Sequence, residues 1–296
     1  MKKLVTFLSI FLVIGAGAVF FIIWDQQSNT PTIPATQIEE TTENQEQDSD
    51  ENSEEAITEE EVENGENMTN QFVDIISEAV QKTIRFFSKE THIVAIGDSL
   101  TQGVGDETKQ GGYVGILDES INESEQHVTF ENYGKRGNRS DQLLKRLDEA
   151  EITSSLSEAD IILITIGAND IMQVFKENIT NLQLDDFMNE RTKYEERLNQ
   201  IVAKLHDVND HALIYFIGFY NPFNSYFQDI EELSLIVDEW NRTTEMVSNN
   251  HDNITFIPTV DLFEGTSEDL LAEDNFHPNY NGYQRIAKRV LDYVTD

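Results

Sequence analysis

The sequence predicts an α/β fold in which a parallel β-sheet is covered by helices on both faces. Short apolar runs, of the kind that form buried parallel strands, recur from residue 92 onward. Stretches with apolar residues at helical spacing separate these runs. The predicted strands are 92–96, 128–132, 161–166, 213–217 and 254–257. The predicted helices are 113–120, 141–150, 184–208, 230–249 and 280–293. Regular alternation of strands and helices is typical of this layered architecture.

Composition and charge exclude several classes of function. The 296 residues carry a net charge of −36, so the surface repels phosphate backbones, and we expect no nucleic-acid partner. The chain contains no cysteine. This excludes disulfide frameworks, thiolate metal sites and a cysteine nucleophile.

The first 24 residues predict a membrane anchor. Lys2 and Lys3 precede an uncharged apolar run from Leu4 to Trp24, and about 21 helical residues span roughly 30 Å, the thickness of a bilayer core. The positive-inside rule puts the N-terminus in the cytoplasm and the rest of the chain outside the cell. The alternative is a signal peptide removed before secretion, although its apolar region is usually only about 7–15 residues long.

Two further segments precede the α/β domain of residues 91–296. Residues 25–68 are polar and acidic, and no Lys or Arg occurs between Lys3 and Lys82, so we expect a disordered, self-repelling stalk. Calcium binding is the alternative for its acidic residues. Residues 69–90 have apolar residues mostly at three- and four-residue steps, which predicts an amphipathic helix. We expect it to pack on the domain, with a membrane surface as the alternative.

Polar clusters follow each of the first three predicted strands, at residues 97–100, 132–138 and 167–170, and a fourth lies at 274–278 before the last helix. Ligands of open parallel sheets bind beyond the carboxyl ends of the strands, near the point where the strand order reverses. We therefore expect the first three clusters to converge on one crevice.

Ser99, His277 and Asp274 are the candidates for nucleophilic chemistry. A serine hydroxyl is a weak nucleophile that needs a neighbouring base, and histidine suits this task because its pKa lies near neutral pH. Asp274 lies three residues before His277, close enough for its carboxylate to hold the imidazole in the required tautomer. Taken singly, Ser99 also reads as a turn and helix-cap residue, and Asp274 as a loop cap. The other histidines are read as structural or surface residues: His92, His127, His206, His211 and His251.

Gly137 and Asn169 would complete such a site. Acyl transfer builds negative charge on the carbonyl oxygen, which preorganised hydrogen-bond donors stabilise. The N–H groups of Ser99 and Gly137 and the side-chain amide of Asn169 are suitable donors. Singly, Gly137 also fits a turn and Asn169 a helix cap.

Together, the four clusters resemble the conserved blocks of the SGNH, or GDSL, hydrolase family. The first is Ile96-Gly97-Asp98-Ser99-Leu100, the third Gly167-Ala168-Asn169-Asp170 and the last Asp274-Asn275-Phe276-His277-Pro278. The second, from Asn132 to Gly137, is the loosest match, and its glycine is either Gly137, which the spacing favours, or Gly134. The resemblance covers roughly residues 91–296.

The resemblance implies a flavodoxin-like three-layer α/β/α sandwich around a five-stranded parallel sheet. It implies ester hydrolysis through an acyl-enzyme, with Ser99 as nucleophile, His277 as base and later acid, and Asp274 as its orienting partner. Ser99, Gly137 and Asn169 would form the oxyanion hole. No metal or organic cofactor is implied. The chain looks like the membrane-anchored, lysophospholipase-like bacterial branch of the family.

The substrate is left open between two classes of ester. Loops after the strands set specificity, and the expected walls are 104–112, 175–186 and 220–227. The last is rich in aromatic residues, which suit an acyl chain, a sugar ring or simple anchoring of the loop. We expect an extracellular esterase or lipase-like enzyme, with a carbohydrate O-acetylesterase of the cell wall, or an inactive surface-binding module, as alternatives. The oligomeric state is not predicted.

Overall fold

The computed structural model describes residues 90–122, 128–178, 180–222 and 231–295. The predicted anchor, the predicted stalk and the predicted helix 69–90, except for its last residue, lie outside these ranges. So do His127 and the aromatic residues of the 220–227 wall beyond residue 222. Within the described ranges, no helix is both long and apolar enough to cross a membrane.

The described residues form a five-stranded sheet in the order β2-β1-β3-β4-β5, and every neighbouring pair of strands is parallel. This confirms the predicted fold class. The strands are β1 (Thr91–Gly97), β2 (Val128–Gly134), β3 (Ile161–Thr165), β4 (Leu213–Ile217) and β5 (Ile254–Ile257). Strands β4 and β5 have the predicted bounds, and the others differ from them by at most two residues.

Eight α-helices follow or precede these strands in the described ranges, and they form the outer layers. They are α1 (Ser99–Gln102), α2 (Gly112–Asn122), α3 (Ser140–Arg146), α4 (Ala150–Glu158), α5 (Ala168–Asn178), α6 (Leu184–Val208), α7 (Glu231–Ser248) and α8 (Tyr280–Val294). Helix α8 packs against α2, whereas α6 contacts α3, α4, α5 and α7.

The central strands are mostly apolar because both faces of the sheet are covered. All five residues of β3 are buried, as are the last five of β1. Helix α8 shows the complementary pattern: its buried side chains recur at three- and four-residue steps and form one face toward the core. Asn279 caps this helix by accepting a hydrogen bond from the backbone N–H of Gly282 at 3.0 Å.

Two helical regions differ from the prediction. The predicted helix 141–150 ends four residues early, at Arg146, and the chain is extended at Glu149 before a separate helix that was not predicted, α4, begins at Ala150. The hydroxyl of Thr153 donates to the carbonyl of Leu147 at 2.8 Å and satisfies it at this break. Helix α5 was not predicted, although Ile171, Val174 and Phe175 are spaced like the buried face of a helix. The polar cluster at its start, residues 167–170, predicts a loop, and the structure instead starts the helix at Ala168.

Candidate active site

The carboxyl ends of β1, β2 and β3 meet at one edge of the sheet. Strand β1 lies between the other two, and its last residue, Gly97, pairs in register with Gly134 of β2 and Thr165 of β3. Chain order reverses on either side of β1, which is where ligands bind in open α/β sheets. The first three polar clusters therefore meet as expected.

Ser99 begins helix α1 directly after a tight turn. A side chain at Gly97 would overlap the backbone carbonyl of Thr165, so the turn needs glycine there. Asp98 caps the helix, and its Oδ1 accepts the backbone N–H of Leu100 at 3.0 Å. Ser99 is only 6% exposed, but it lines a cleft at this edge of the sheet.

Ser99, His277 and Asp274 form a continuous hydrogen-bonded chain. The hydroxyl oxygen of Ser99 lies 2.9 Å from Nε2 of His277. On the other side of the ring, Nδ1 lies 2.6 Å from Oδ2 of Asp274. His277 is 3% exposed, so the imidazole is shielded from water on most sides. The structure thus brings together the three residues that the sequence placed up to 178 positions apart.

Asp274 is held as a carboxylate by the loop that it begins. Burial by itself would raise its pKa, but hydrogen bonds from the ring and backbone of His277 and from the N–H of Phe276 outweigh burial. The net effect lowers the pKa of Asp274 to about 2. The two backbone N–H groups donate to Oδ1 at 2.9 and 3.0 Å, which leaves Oδ2 for the imidazole.

Gly137 and Asn169 lie in the neighbouring loops. Gly137 is exposed, with a φ of +76° and open space where a Cβ would stand. Gly134, in contrast, packs directly against the backbone of Gln102, which favours Gly137 as the glycine of the second block. Asn169 lies in the first turn of α5 and lines the same cleft as Ser99. Its Nδ2 donates to the carbonyl of Asn138, the residue that follows Gly137, at 3.2 Å.

The cleft beside Ser99 is narrow, and its walls are largely apolar. The space that it offers to a water-sized molecule is only about 20 Å³. Besides Ser99, His277, Asp98 and Asn169, its lining residues are Leu100, Ala168, Phe219, Tyr220, Pro222 and Phe276. Tyr220 stacks on Phe263 with ring centroids 3.9 Å apart, and its hydroxyl donates to the carbonyl of Phe276. The start of the predicted 220–227 wall therefore lies at the cleft.

Comparison with known proteins identifies the family. A sequence model of the GDSL-like lipase/acylhydrolase family matches residues 95–285. The chain belongs to this family. It is therefore a GDSL-type hydrolase of carboxylic esters, and all the residues of the four blocks lie within the matched range.

Relatives of this GDSL-like protein include two Bacillus proteins. The uncharacterized protein YpmR of Bacillus subtilis (strain 168) is 37% identical over 74% of this chain and 87% of its own. The spore germination lipase LipC of Bacillus licheniformis is 28% identical over 66% of this chain and 92% of its own. Among solved structures, the lipase Lip_vut3 from a goat rumen metagenome superposes with a TM-score of 0.60. It is 24% identical, with 68% of this chain and 95% of that one covered, and it supports the fold.

A buried carboxyl group next to the serine was not given a role from the sequence. Burial raises the pKa of Asp98 to about 7, against the opposing effect of the hydrogen bonds that it accepts. Its Oδ1 also accepts the hydroxyl of Thr165 at 2.8 Å. That hydroxyl oxygen lies 2.7 Å from Oγ1 of Thr101, so a buried polar network supports the turn in this GDSL-like protein.

A second buried carboxyl group, Asp170, follows Asn169 directly and was also given no role. It accepts hydrogen bonds from Ser140 and Arg197, and burial raises its pKa against their effect. Asp170 belongs to the third block and so was within reach of sequence reasoning. Arg197 lies in the middle of α6, and no feature of the sequence pointed to it.

The other histidines that the structure describes lie away from the cleft. His206 contacts Asn253 at 3.1 Å and packs edge-on against His251, His92 lies 3.3 Å from Glu131, and His211 is exposed. In the part of the chain that the structure describes, no three His, Asp or Glu side chains are grouped so as to hold a metal ion.

Proposed function

We propose that this protein is a serine esterase that hydrolyses acyl esters of lysophospholipid-like lipids through an acyl-enzyme. The observation that carries the proposal is the chain of contacts Ser99–His277–Asp274, with 2.9 Å and 2.6 Å between the bonded atoms. These distances allow proton transfer between hydroxyl and imidazole and hold the imidazole in one orientation.

In the first half of the reaction, Oγ of Ser99 attacks the carbonyl carbon of the ester, and Nε2 of His277 accepts the hydroxyl proton. Asp274 stabilises the imidazolium that forms. The tetrahedral intermediate then collapses, the bond to the alcohol breaks, and the proton moves from Nε2 to the leaving alkoxide. The products of this half are the free alcohol and an ester of Ser99.

In the second half, a water molecule gives a proton to Nε2 and attacks the acyl-enzyme, which releases the carboxylic acid and restores Ser99. Both tetrahedral intermediates carry negative charge on the former carbonyl oxygen. The N–H groups of Ser99 and Gly137 and Nδ2 of Asn169 are the proposed donors to this oxygen. Asn169 suits the role because its amide is tied to the loop of Gly137 through the carbonyl of Asn138, the next residue.

Two observations support a lipid-derived substrate. The side chains around Ser99 are mostly apolar, with Leu100, Phe219 and Phe276 among them, and such walls favour an acyl chain over a hydrated glycan. The chain also resembles the spore germination lipase LipC over nearly all of that lipase's length. Together these favour lipid esters over acetylated glycans.

We also propose that the enzyme works outside the cell on a single-pass anchor. The basis is the apolar run from Leu4 to Trp24 with Lys2 and Lys3 before it. Such an anchor would hold the catalytic domain close to membrane-derived esters, and the acidic segment 25–68 would act as the tether.

The test is a fluorophosphonate probe followed by a substrate panel. Wild-type protein should take up one probe per chain, and Ser99→Ala should take up none while keeping its unfolding temperature. Turnover should be measured on p-nitrophenyl esters from acetyl to palmitoyl, on lysophosphatidylcholine and on acetylated xylan. His277→Gln should remove turnover, whereas the matched control His206→Gln, on a histidine distant from the cleft, should retain it.

Each outcome has a defined meaning. Release of fatty acid from lysophosphatidylcholine, absent in Ser99→Ala, supports the proposal. A rate optimum at acetyl with no lipid turnover would replace the lipid substrate by an O-acetylated glycan. Folded wild-type protein that takes up no probe and hydrolyses no ester would favour the surface-binding alternative.

A further inference from the structure

Two loops supply the proposed oxyanion donors, and a buried ionic cluster joins them. Gly137 lies in the loop between β2 and α3, and Asn169 at the start of α5. The cluster consists of Ser140 from the first region and Asp170 from the second, with Arg197 of α6 in contact with both. The donor glycine lies three residues before Ser140, and the donor amide lies directly before Asp170.

The carboxylate of Asp170 binds the start of α3 at two points. The backbone N–H of Ser140 donates to Oδ2 at 3.0 Å, and the Ser140 hydroxyl donates to Oδ1 at 2.6 Å. Asp170 is 1% exposed and Ser140 is fully buried. A carboxylate removed from water needs such donors, so the two regions are strongly tied at this point.

Arg197 contacts both halves of this tie and anchors them to α6. Its Nε donates to Oγ of Ser140 at 2.6 Å, and its Nη2 donates to Oδ1 of Asp170 at 3.0 Å. The same Nη2 donates to Oε1 of Glu190 at 2.6 Å. Glu190 lies two helical turns earlier in α6. Only a planar guanidinium presents donors in a fixed fork suited to several acceptors at once.

The consequence reaches the donors through one more hydrogen bond. Nδ2 of Asn169 donates to the carbonyl of Asn138 at 3.2 Å. This bond uses one amide hydrogen and fixes the plane of the amide, which leaves the second hydrogen of Nδ2 available to an oxyanion. If the loop holding Asn138 shifts relative to α5, both donors lose their common orientation.

We propose that Arg197 is a positioning residue that sets the distance and orientation between the Gly137 and Asn169 oxyanion donors by clamping Ser140 to Asp170. This inference rests on the proposed function. It assigns a role in the reaction to a residue of α6 that lies outside all four sequence blocks.

The expected signature of Arg197→Lys is a loss in kcat rather than in binding. The ammonium group of lysine can reach one or two of the acceptors on Ser140, Asp170 and Glu190, but not all three. We therefore expect the two oxyanion donors to shift relative to each other by a fraction of an ångström. We expect kcat per active site to fall by about 10- to 100-fold, with KM within twofold of wild type. Active sites are counted with the fluorophosphonate probe, so that a smaller folded fraction is not mistaken for slower chemistry.

Arg191→Lys is the matched control. Arg191 lies on the same helix and is similarly half-buried, but its contacts run to Thr243 and Glu239 of α7 rather than to the donor loops. This variant should keep kcat within twofold of wild type. If both variants lose kcat equally, helix stability rather than donor geometry is responsible, and the proposal is wrong.

A double-mutant cycle gives a second, independent test. Ser140→Ala removes the hydroxyl that accepts from Arg197 and donates to Asp170, while the backbone N–H of residue 140 remains. If both residues act through one clamp, the Ser140→Ala/Arg197→Lys double variant should be no slower than the slower single variant by more than about twofold. Fully multiplicative losses would mean that they act separately.

The two proposals fail in different ways. If wild-type protein takes up no probe and hydrolyses no ester, the proposed function fails. If wild-type protein is active and Arg197→Lys has unchanged kcat per active site, only the positioning role of Arg197 is overturned.

Discussion

The hydroxyl of Ser99 contacts an imidazole that is itself held by a carboxylate, and each group owes its position to a different local structure. Ser99 stands at the start of a short helix because Asp98 caps it. Asp274 accepts two backbone N–H groups of its own loop and presents its second oxygen to His277. The three side chains are therefore fixed before any substrate arrives, which lowers the reorganisation that the reaction requires.

Asn169→Ala tests the proposed oxyanion donor. Removing Nδ2 should lower kcat by about 10²–10³ with little change in KM, since the bond to the oxygen strengthens only as negative charge develops. Steady-state kinetics on a soluble p-nitrophenyl ester measures this. Asn178→Ala is the control, because Asn178 ends the same helix and donates to the carbonyl of Val174. A loss below threefold in Asn169→Ala would contradict the assignment.

Asp98→Asn tests how much the ionised carboxylate of buried Asp98, next to Ser99, lowers the free energy of unfolding. The pKa of Asp98 rises from 3.8 in the unfolded chain to about 7 in the folded protein. A raised carboxyl pKa means that the folded state holds its proton longer, so the wild-type free energy of unfolding falls as pH rises from about 4 to 7. Asparagine keeps an acceptor oxygen for Leu100 and does not ionise.

The variant should therefore gain stability over wild type across this window, by on the order of 4 kcal/mol at most, and the difference should be constant above pH 7. Urea unfolding of both proteins at pH 4.5, 6 and 8 measures the difference. An equal difference at all three values would show that Asp98 titrates normally.

At the scale of elements, the active site is assembled by segments that end or begin at one edge of the sheet. The turn after β1 provides Ser99, the loops after β2 and β3 provide Gly137 and Asn169, and the loop before α8 provides Asp274 and His277. Helix α8 packs against α2, and the hydroxyl of Tyr283 donates to the carbonyl of Val104 at 2.7 Å. The histidine loop is thus attached to the segment that follows the serine helix.

Gly105→Ala tests that attachment. Gly105 has a φ of +96°, and an added Cβ would lie 2.5 Å from the carbonyl oxygen of Pro278 and 2.8 Å from Cβ of His277. We expect His277 to be displaced from Ser99, with kcat lowered at least tenfold and the protein destabilised by more than the 1–2 kcal/mol or so of left-handed strain alone.

Gly265→Ala separates strain from displacement. Gly265 also has a positive φ, of +66°, but nothing lies within 4 Å of the position of its Cβ. This variant should lose stability by about 1–2 kcal/mol and keep its kcat. Thermal unfolding and ester turnover should be measured for both variants. If Gly105→Ala and Gly265→Ala have equal kcat, contact between residue 105 and the histidine loop does not determine activity.

At the scale of the whole molecule, we propose that charge and the N-terminal segment govern where the enzyme works. The net charge of −36 opposes association with nucleic acids and anionic lipid surfaces. Attraction between surface charges therefore gives no route to a membrane. In the proposed arrangement, the apolar run from Leu4 to Trp24 supplies one, because a single apolar helix of this length is sufficient to hold a protein in a bilayer.

Removal of residues 1–24 tests the anchor. In bacteria expressing the full chain, we expect the protein in the membrane fraction, resistant to carbonate and released by detergent. The shortened chain should remain soluble. Protease added to intact cells lacking an outer membrane should digest the full chain if the domain lies outside. If cells that express the full-length gene release the protein into the medium without its first 24 residues or so, the segment is a cleaved signal peptide instead.

Sequence reasoning worked where the signal is local. Buried strands are recognisable because continuous apolar runs have few other stable settings, and β4, β5 and α6 have the predicted bounds. The end of α3 at Arg146 and the separate helix α4 were missed because the contacts at the break, such as the bond from the hydroxyl of Thr153 to the carbonyl of Leu147, leave no mark on the spacing of apolar residues. Helix α5 was missed because its polar start was read as a loop, although its buried face was visible in the spacing.

By itself, the sequence determined the fold class and the set of chemically competent residues, since residue type and periodicity are properties of the chain alone. The tertiary structure decided the 2.9 Å contact between Ser99 and His277 and the place of Arg197 beside Asp170, and it favours Gly137 over Gly134 as the glycine of the second block. These depend on pairs of segments that meet only after the sheet has formed and its helices have packed. Packing and burial act on atoms that are close in space. A single sequence does not show which residues far apart in the chain come into contact.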